Sequence, residues 1–327
     1  MIAVIGGAGY IGSHTVKYLR QQGREVVVFD NLSTGHREFV SEEVPFIEGD
    51  LVNKEDLQKL FTSYPKIQTV IHFAAFAYVG ESVIQPAKYY QNNVVNTIQL
   101  LDVMLEHHVK NIVFSSTCAT YGNPQELPIT ESHPQNPINP YGRTKLMTEQ
   151  LMEDYAHAYG LNYAALRYFN AAGADMECEI GEWHEPESHL IPLVLDVAIG
   201  KREAISVYGN DFDTSDGTCI RDYIHVTDLA DAHYRAVDYL HRNKHNLKLN
   251  LGNGEGYSVL EIIKEAEHIT KRPIPYIIAN RREGDPTKLI GSAEKAREVL
   301  GWQPQFNLQQ IILTAWNWHQ KKFGGYQ

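Results

Sequence analysis

Short runs of β-branched and aliphatic residues alternate with longer stretches in which apolar residues recur every three or four positions. Residues 2–5, 25–30, 46–48, 69–73, 111–115 and 163–166 are the apolar runs, and residues 10–22, 55–61, 88–107 and 141–159 carry the helical spacing. Strands that are apolar throughout, without polar alternation, belong to a sheet buried on both faces. Strand–helix–strand units of this kind predict right-handed crossovers, and hence a doubly wound parallel α/β sheet.

Past residue 170 the rhythm changes. Residues 171–187 read as a loop rich in glycine and charge, 190–199 as a helix stopped by Gly200, and 210–217 as a polar loop. A helix over 226–240, a strand over 247–251, a helix over 259–270, a proline-broken strand over 274–278 and helices over 293–300 and 308–321 complete the chain. No repeat or low-complexity linker separates the halves. The pattern predicts a first domain over 1–170 and a smaller α/β domain over 171–327, with segments near 221–240 returning to the first.

The chain has 327 residues and a formal net charge of −11. Such an acidic surface disfavours nucleic acid and anionic membranes as partners. No apolar run approaches the ~20 residues that span a bilayer, and the N-terminus lacks the basic start of a signal peptide. Cys118, Cys178 and Cys219 are scattered without a CxxC spacing, and the fifteen histidines contain no HExxH. Neither a disulfide framework nor a metal site is expected. These features predict a cytoplasmic protein.

Gly6-Gly7-Ala8-Gly9-Tyr10-Ile11-Gly12 joins the first strand to the first helix. Glycines 7, 9 and 12 fit GxGxxG, and glycines 6, 9 and 12 fit GxxGxxG. The turn must be tight, the backbone must approach a pyrophosphate, and the helix N-terminus must offer free amides to it. Asp30 closes the second strand near the expected ~20 residues on. A carboxylate there accepts from the adenosine ribose hydroxyls and repels a 2′-phosphate, so NAD is expected over NADP. Asn31, not an arginine, follows it. Asp50, the small-residue strand end Phe73-Ala74-Ala75, and Asn92 in the long helix complete a Rossmann cofactor crevice.

Tyr141-Gly142-Arg143-Thr144-Lys145 is YxxxK at a helix start, and i, i+4 spacing puts both ends on one face. A phenol with pKa ~10 is a poor base at neutral pH. A neighbouring ammonium and a nicotinamide cation would lower that value, and Lys145 can also hold the nicotinamide ribose. The strand over 111–117 ends in hydroxyls. Thr117 is the preferred partner of the reacting oxygen, and Ser116 the alternative.

Together these motifs resemble the extended short-chain dehydrogenases/reductases, and among them the UDP-glucose 4-epimerases. The similar segments run through nearly the whole chain: residues 6–14, Asp30-Asn31-Leu32, Glu48-Gly49-Asp50, His72-Phe73-Ala74, Val79-Gly80-Glu81-Ser82, Asn92-Asn93-Val94, residues 114–117 and residues 141–145. Arg167-Tyr168-Phe169-Asn170, Asp216-Gly217-Thr218, residues 221–226 and Arg281-Arg282-Glu283-Gly284-Asp285 are more specific to nucleotide-sugar epimerases.

The resemblance implies reversible 4-epimerisation of UDP-galactose and UDP-glucose by transient oxidation at sugar C4, with NAD tightly bound. Tyr141 takes the proton of the sugar 4-hydroxyl and Thr117 hydrogen-bonds its oxygen. Tyr10, Ile11, Leu51, Ser115 and Tyr168 join the cofactor contacts. Asn170 binds diphosphate or sugar, Tyr208 stacks on uracil, Arg221 and Arg282 neutralise the diphosphate, and Asp285 accepts ribose hydroxyls. His189 and Leu190 are further substrate contacts. A homodimer is implied, the helices over 88–107 and 141–159 pairing with a partner's. Three positions depart from some epimerases: Ala77 for Lys, His189 for Asn, and Leu289 for a bulky Tyr. The smaller Leu289 implies room for an N-acetyl group, and so UDP-GlcNAc/UDP-GalNAc as additional substrates. Three other readings fit less well. A dehydratase adds an Asp-Glu pair where this chain has Cys118-Ala119-Thr120. A UDP-glucuronate epimerase or decarboxylase needs groups for a C6 carboxylate, none of which is identifiable in the sequence. A non-catalytic NAD-sensing regulator does not need Thr117, Tyr141 and Lys145 intact.

Overall fold

Ile2–Ile5 (β1) and Val26–Asp30 (β2) are buried at every position, as strands covered on both faces must be. The computed structural model describes residues 1–243, 245–282 and 285–324. Tyr10–Gln21 (α1) joins these two strands. Phe46–Glu48 (β3), Lys54–Ser63 (α2), Thr69–His72 (β4), Val79–Ile84 (α3), Pro86–Tyr90 (α4), Asn96–Glu106 (α5), Asn111–Thr117 (β5), Pro140–Tyr159 (α6) and Asn162–Tyr168 (β6) follow. Next come Asn170–Ala172 (β7), Leu190–Ala198 (α7), Ile205–Tyr208 (β8), Ile220–Arg221 (β9), Tyr223–His225 (β10), Val226–Asn243 (α8) and Leu247–Leu251 (β11). Tyr257–Ser258 (β12), Val259–Thr270 (α9), Tyr276–Ala279 (β13), Lys288–Leu289 (β14), Glu294–Leu300 (α10) and Leu308–Phe323 (α11) close the chain.

Seven parallel strands lie in the order β11-β6-β5-β4-β1-β2-β3. The strand order reverses between β1 and β4, which is where a doubly wound sheet opens its ligand crevice. Alternate strand residues enter opposite cores, as a period of two requires. Val4 and Val28 meet Val16 and Leu19 of α1 and Leu229, Ala232 and Ala236 of α8. Ala3, Ile5, Val27 and Phe29 meet Leu57, Leu60, Leu101, Met104 and Met152 from α2, α5 and α6. Leu60 is wholly buried there, and its truncation to alanine costs about 2–5 kcal/mol.

The chain returns to this sheet after leaving it. β11 pairs with β6 in parallel, α8 rests on α1, and Ala296, Leu300 and Trp302 join the same core. A third core gathers α7, α9 and α11 around Ile205 and Val207. Small sheets β10-β7, β13-β8 and β12-β9-β14 lie outside the main sheet. No helix of the described residues is long and apolar enough to cross a membrane.

Several elements differ from the sequence expectation. The helix expected over 88–107 begins at Pro86 and passes through a π turn at Gln91–Val95. Asn93 accounts for the turn. Its carbonyl accepts from the Thr97 and Thr148 hydroxyls at 2.8 and 3.2 Å, which draws it from the α-helical ladder. Its side chain accepts from the Phe76 N–H at 2.9 Å and donates to the Phe76 carbonyl at 3.0 Å. The strand expected over 274–278 is displaced to Tyr276–Ala279 because it pairs with β8, a strand whose four residues carry too little periodicity to be read from sequence.

Candidate active site

The crevice between β1 and β4 is shaped by glycines. A Cβ on Gly6, whose φ is +80°, would lie 2.6 Å from the Ala74 nitrogen, and one on Gly12 would lie 2.1 Å from the Gly6 carbonyl oxygen. No side chain fits either place, so β1, the end of β4 and α1 approach at backbone distance. Gly9 differs: its nearest neighbour would be 3.4 Å away, so the protein's own packing does not demand a glycine. Gly9 is the N-cap of α1 and, among the described residues, no side chain caps it. The first-turn amides of Tyr10, Ile11 and Gly12 lack intrahelical acceptors and are available to an anion.

Asp30 is set by backbone groups. Its Oδ2 accepts from the Ala8 N–H at 2.9 Å and its Oδ1 from the Leu32 N–H at 2.8 Å. Burial pushes its pKa up, and these amides oppose the rise. Asn31 donates to the Asp50 carboxylate at 2.8 Å, tying the ends of β2 and β3 together. Phe73 packs on His233 at 4.7 Å, and Ala74 donates to the Ile5 carbonyl. Ala75 stays partly exposed beside them. Asn92 donates to Asn93 at the π turn.

Four residues expected at the cofactor have partners within the protein. The Tyr10 phenol is buried and donates to the Gly173 carbonyl at 2.6 Å, leaving only its backbone free. The Leu51 side chain lies in the core and its carbonyl already accepts from Gln99. Ser115 and Tyr168 hydrogen-bond each other through their hydroxyls, both buried.

Asn139 caps α6 by accepting from the Gly142 N–H at 2.8 Å, and Pro140 opens the first turn. This fixes Tyr141 and Lys145 over the end of β5. Lys145 is buried and donates to the Ser115 carbonyl at 2.7 Å. Its Nζ is 4.8 Å from the Phe114 ring centre and 6.0 Å from that of Tyr141. Burial pushes the Tyr141 phenol up to about 12, against a lowering hydrogen bond from Thr117. Burial also brings Lys145 down to about 7. The expected lowering of the phenol pKa is therefore not achieved by the protein's own groups, because a low dielectric disfavours both charged forms.

Strand alternation gives the two hydroxyls different partners, and Thr117 hydrogen-bonds Tyr141. Ser116 points to the opposite face from Thr117 and donates to the buried Glu149 carboxylate. Glu149 is in turn held by Arg167, whose Nε donates at 2.9 Å and whose Nη1 donates to the Tyr121 hydroxyl at 2.8 Å. Tyr121 donates to Asn250 at 2.7 Å, carrying the network from α6 to β11. Sequence reading missed this support. Its signal was a charge, Arg167, inside an apolar strand, which requires a partner.

On the opposite side, Arg221 donates to Asp285 and to the Ile220 carbonyl. Leu289 lies in register with Arg221 and packs with Cys118, Tyr121, Ile129 and Phe169. Cys118 directly follows Thr117 in the chain. The Arg282 guanidinium covers the exposed Tyr208 ring at 4.0 Å. Asn170 donates its backbone N–H to the Asp222 carbonyl and is partly exposed. Leu190 packs into the core of α7, α9 and α11. His189, expected as a substrate contact, has its Nδ1 2.9 Å from Glu182 and 3.1 Å from Glu187. Glu283 and Gly284 of the expected arginine segment lie outside the described residues.

Residues 2–252 match the NAD dependent epimerase/dehydratase family. The chain is 55% identical over 326 residues to a UDP-glucose 4-epimerase of Halalkalibacterium halodurans, covering 99% of this chain and 97% of that one. It superposes on the crystal structure of UDP-glucose 4-epimerase from Brucella ovis in complex with NAD with a TM-score of 0.94, at 52% identity and 97% of each chain. The structure of the Bifidobacterium longum UDP-glucose 4-epimerase in complex with NAD+ and UDP is similar at a TM-score of 0.93 and 39% identity, over 100% of this chain and 99% of that one. With its doubly wound sheet and its Tyr141/Lys145/Thr117 constellation, the chain belongs to the NAD-dependent epimerase/dehydratase family, in its UDP-glucose 4-epimerase branch.

Proposed function

We propose that the protein interconverts UDP-galactose and UDP-glucose by inverting sugar C4, with NAD held throughout. The observation that carries this reading is the convergence of Thr117, Tyr141 and Lys145 at the end of β5, beside the glycine crevice. The residues fit NAD. The open face of Gly9 and the uncapped α1 suit its pyrophosphate, and the Asp30 carboxylate, already oriented by two amides, suits its adenosine ribose. NAD supplies the transient oxidation of C4 and its reversal.

The side chains do the rest. Tyr141 takes the proton of the 4-hydroxyl and gives it back after the sugar has turned over. Thr117 hydrogen-bonds the same oxygen. Lys145, fixed to the Ser115 carbonyl, orients the cofactor ribose and supplies positive charge beneath the phenol. Arg221 and Arg282 neutralise the diphosphate, about which the sugar rotates. Tyr208 faces uracil, Asp285 takes ribose hydroxyls, and Asn170 contacts the sugar diphosphate. His189 and Leu190 contribute backbone and apolar contacts at the start of α7.

In this reading residues 1–170, joined by α8, β11 and α10, form the cofactor domain, and the remainder of 171–327 forms the nucleotide-sugar domain. The protein works as a homodimer. Val83, Ile84, Val95 and Met147 are 62, 81, 48 and 44% exposed along α3, the π turn and α6, an apolar strip that a second copy would cover. Sedimentation as a monomer would exclude this. Three unpaired cysteines accord with the cytoplasm. The N-acetylated sugars are additional substrates, admitted at Leu289.

Purified protein mixed with UDP-galactose, without added NAD, tests the assignment by NMR. UDP-glucose appearing at the equilibrium ratio is the expected result. Unchanged substrate, even after NAD is supplied, would refute it.

A further inference from the structure

Four side chains of the loop before α7 converge on one point. The donor atoms of Glu182, His184, Glu187 and His189 all lie within 4.8 Å of one another. His189 Nδ1 is 2.9 Å from Glu182 Oε1 and 3.1 Å from Glu187 Oε1, and His184 Nδ1 is 3.6 Å from Glu182 Oε1 and 3.3 Å from Glu187 Oε2. Four ligands at the ~2.0–2.1 Å of zinc–nitrogen and zinc–oxygen bonds form a tetrahedron whose edges are about 3.3–3.4 Å. The His–Glu separations, which involve both Glu187 oxygens, lie on either side of that value, and the four-atom set as a whole stays within 4.8 Å, so modest side-chain adjustment would bring one atom of each residue onto an ion.

The two carboxylates can be balanced by the imidazoles, if protonated, or by one bound divalent ion. The Glu182 and Glu187 side chains are 8 and 11% exposed, and among the described residues their ion-pair partners are the two imidazoles alone. Two nearly buried carboxylates without lysine or arginine are costly unless neutralised. A divalent ion does this while leaving both histidines neutral, the state in which Nδ1 is a ligand.

The surroundings hold the four groups in place. Glu187 Oε1 accepts from the backbone N–H groups of Ser188 and His189. The Glu182 carbonyl accepts from the Trp318 indole, and Trp183 stacks on His36 at 3.8 Å. Such outer contacts fix ligand geometry in metal sites. The spacing, Glu-x-His-x-x-Glu-x-His, is not HExxH, which is why motif reading passed over it.

We propose that Glu182, His184, Glu187 and His189 form a closed, structural binding site for a divalent transition ion, with Zn2+ preferred. Two nitrogens and two oxygens suit zinc's tetrahedral geometry, and four protein ligands leave no open position for catalysis. The ion locks the loop that leads into α7. The His184 ring is 6.4 Å from that of Tyr10 in the glycine loop and 6.2 Å from that of Tyr78, so the ion would brace the loop before α7 against the cofactor side.

The test is metal binding by the NAD-loaded protein, independent of its activity. After treatment with a chelator, calorimetric titration with Zn2+ should give one equivalent per chain, and Mg2+ should give none. Co2+ should develop the visible bands of a tetrahedral site. The thermal midpoint should rise by roughly 5 °C at free Zn2+ a hundredfold above its Kd. His184→Ala and Glu187→Gln should each lose the stoichiometric ion. Because a variant can fail by misfolding, the Co2+ spectrum of the unaltered protein stands as a separate criterion. The proposal is overturned if the unaltered protein takes up neither Zn2+ nor Co2+, or if His184→Ala binds Zn2+ as tightly as its parent.

Discussion

Lys145 donates its Nζ to the Ser115 carbonyl at 2.7 Å, while that nitrogen stands 6.0 Å from the centre of the Tyr141 ring. The lysine is anchored to β5, and the tyrosine receives its charge at a distance. Burial works against both charged forms. A cation bound alongside would favour the phenolate, the form in which a tyrosine serves as a base.

Replacing Tyr141 by Phe removes the group that moves the proton and leaves the ring that packs. General acid–base groups contribute about 10²–10⁴-fold, so kcat should fall by that range while bound NAD is retained. Bound NAD, read from absorbance after denaturation, separates a chemical defect from a lost cofactor. Activity within tenfold of the parent would remove Tyr141 from the mechanism.

The buried lysine gives a stability trend with a definite sign. Its folded pKa of about 7 lies below the ~10.4 of an unfolded lysine. Between these values the unfolded chain binds more protons, so stability rises with pH. The full cost of burying the ammonium is present below pH 7 and vanishes above both values. In cofactor-free protein, urea unfolding at pH 6.5 and pH 9 should show the parent gaining more than about 1 kcal/mol relative to Lys145→Met. Equal gains at the two pH values would show an unshifted lysine.

The glycine loop separates folding from binding. In Gly12→Ala the new Cβ meets the Gly6 carbonyl at 2.1 Å, whereas in Gly9→Ala nothing lies closer than 3.4 Å. Gly12→Ala should therefore lower both thermal stability and NAD content. Gly9→Ala should leave the cofactor-free midpoint within about 2 °C of the parent, a shift worth under ~1 kcal/mol, yet lose NAD, since its methyl stands where phosphate must approach the backbone. Parallel losses in the two variants would contradict the division.

Much of this architecture was legible because local signals agreed with the global fold. Val26-Val27-Val28-Phe29 announced a two-faced strand, and Asn139-Pro140 with Gly160 bounded α6 as capping chemistry predicts. The substrate side was less legible, for physical reasons. β9, β12 and β14 are two residues each and exist only through pairing across distant chain. Tyr10, Ser115 and Tyr168 stood in the expected places, but their side chains answer to tertiary partners such as Gly173 that spacing cannot reveal. β11 joined the main sheet from far along the chain: its backbone pairs with β6, and Leu247, Leu249 and Leu251 are buried in the core that α8 covers.

The Arg167–Glu149 pair predicts an asymmetry. Both side chains are essentially without solvent, so removing one partner strands the other. Arg167→Met should cost about 3–5 kcal/mol in unfolding free energy. The double variant Arg167→Met, Glu149→Met should recover most of that, because well-packed apolar groups replace buried pairs at little cost. Denaturant unfolding of the three proteins measures it. A double variant as unstable as the single would mean that the pair contributes net attraction.

Leu289 connects pocket size to substrate choice. It packs with Cys118 and Phe169, and β14 holds it in register with Arg221. The residues it packs against are buried, so in the proposed reading a larger side chain there would extend into the sugar pocket. Leu289→Tyr should therefore exclude the N-acetyl group of UDP-GlcNAc while leaving the smaller 2-hydroxyl of UDP-galactose accommodated. A steric clash of this kind raises the barrier for one substrate only, so the ratio of kcat/KM values should shift by at least tenfold, or about 1.4 kcal/mol. Both ratios come from NMR assays of one preparation, so a folding defect would lower the two activities together and leave the ratio unchanged. If the parent converts no UDP-GlcNAc at high enzyme, or if the ratio is unmoved in the variant, Leu289 does not set the size of the sugar pocket.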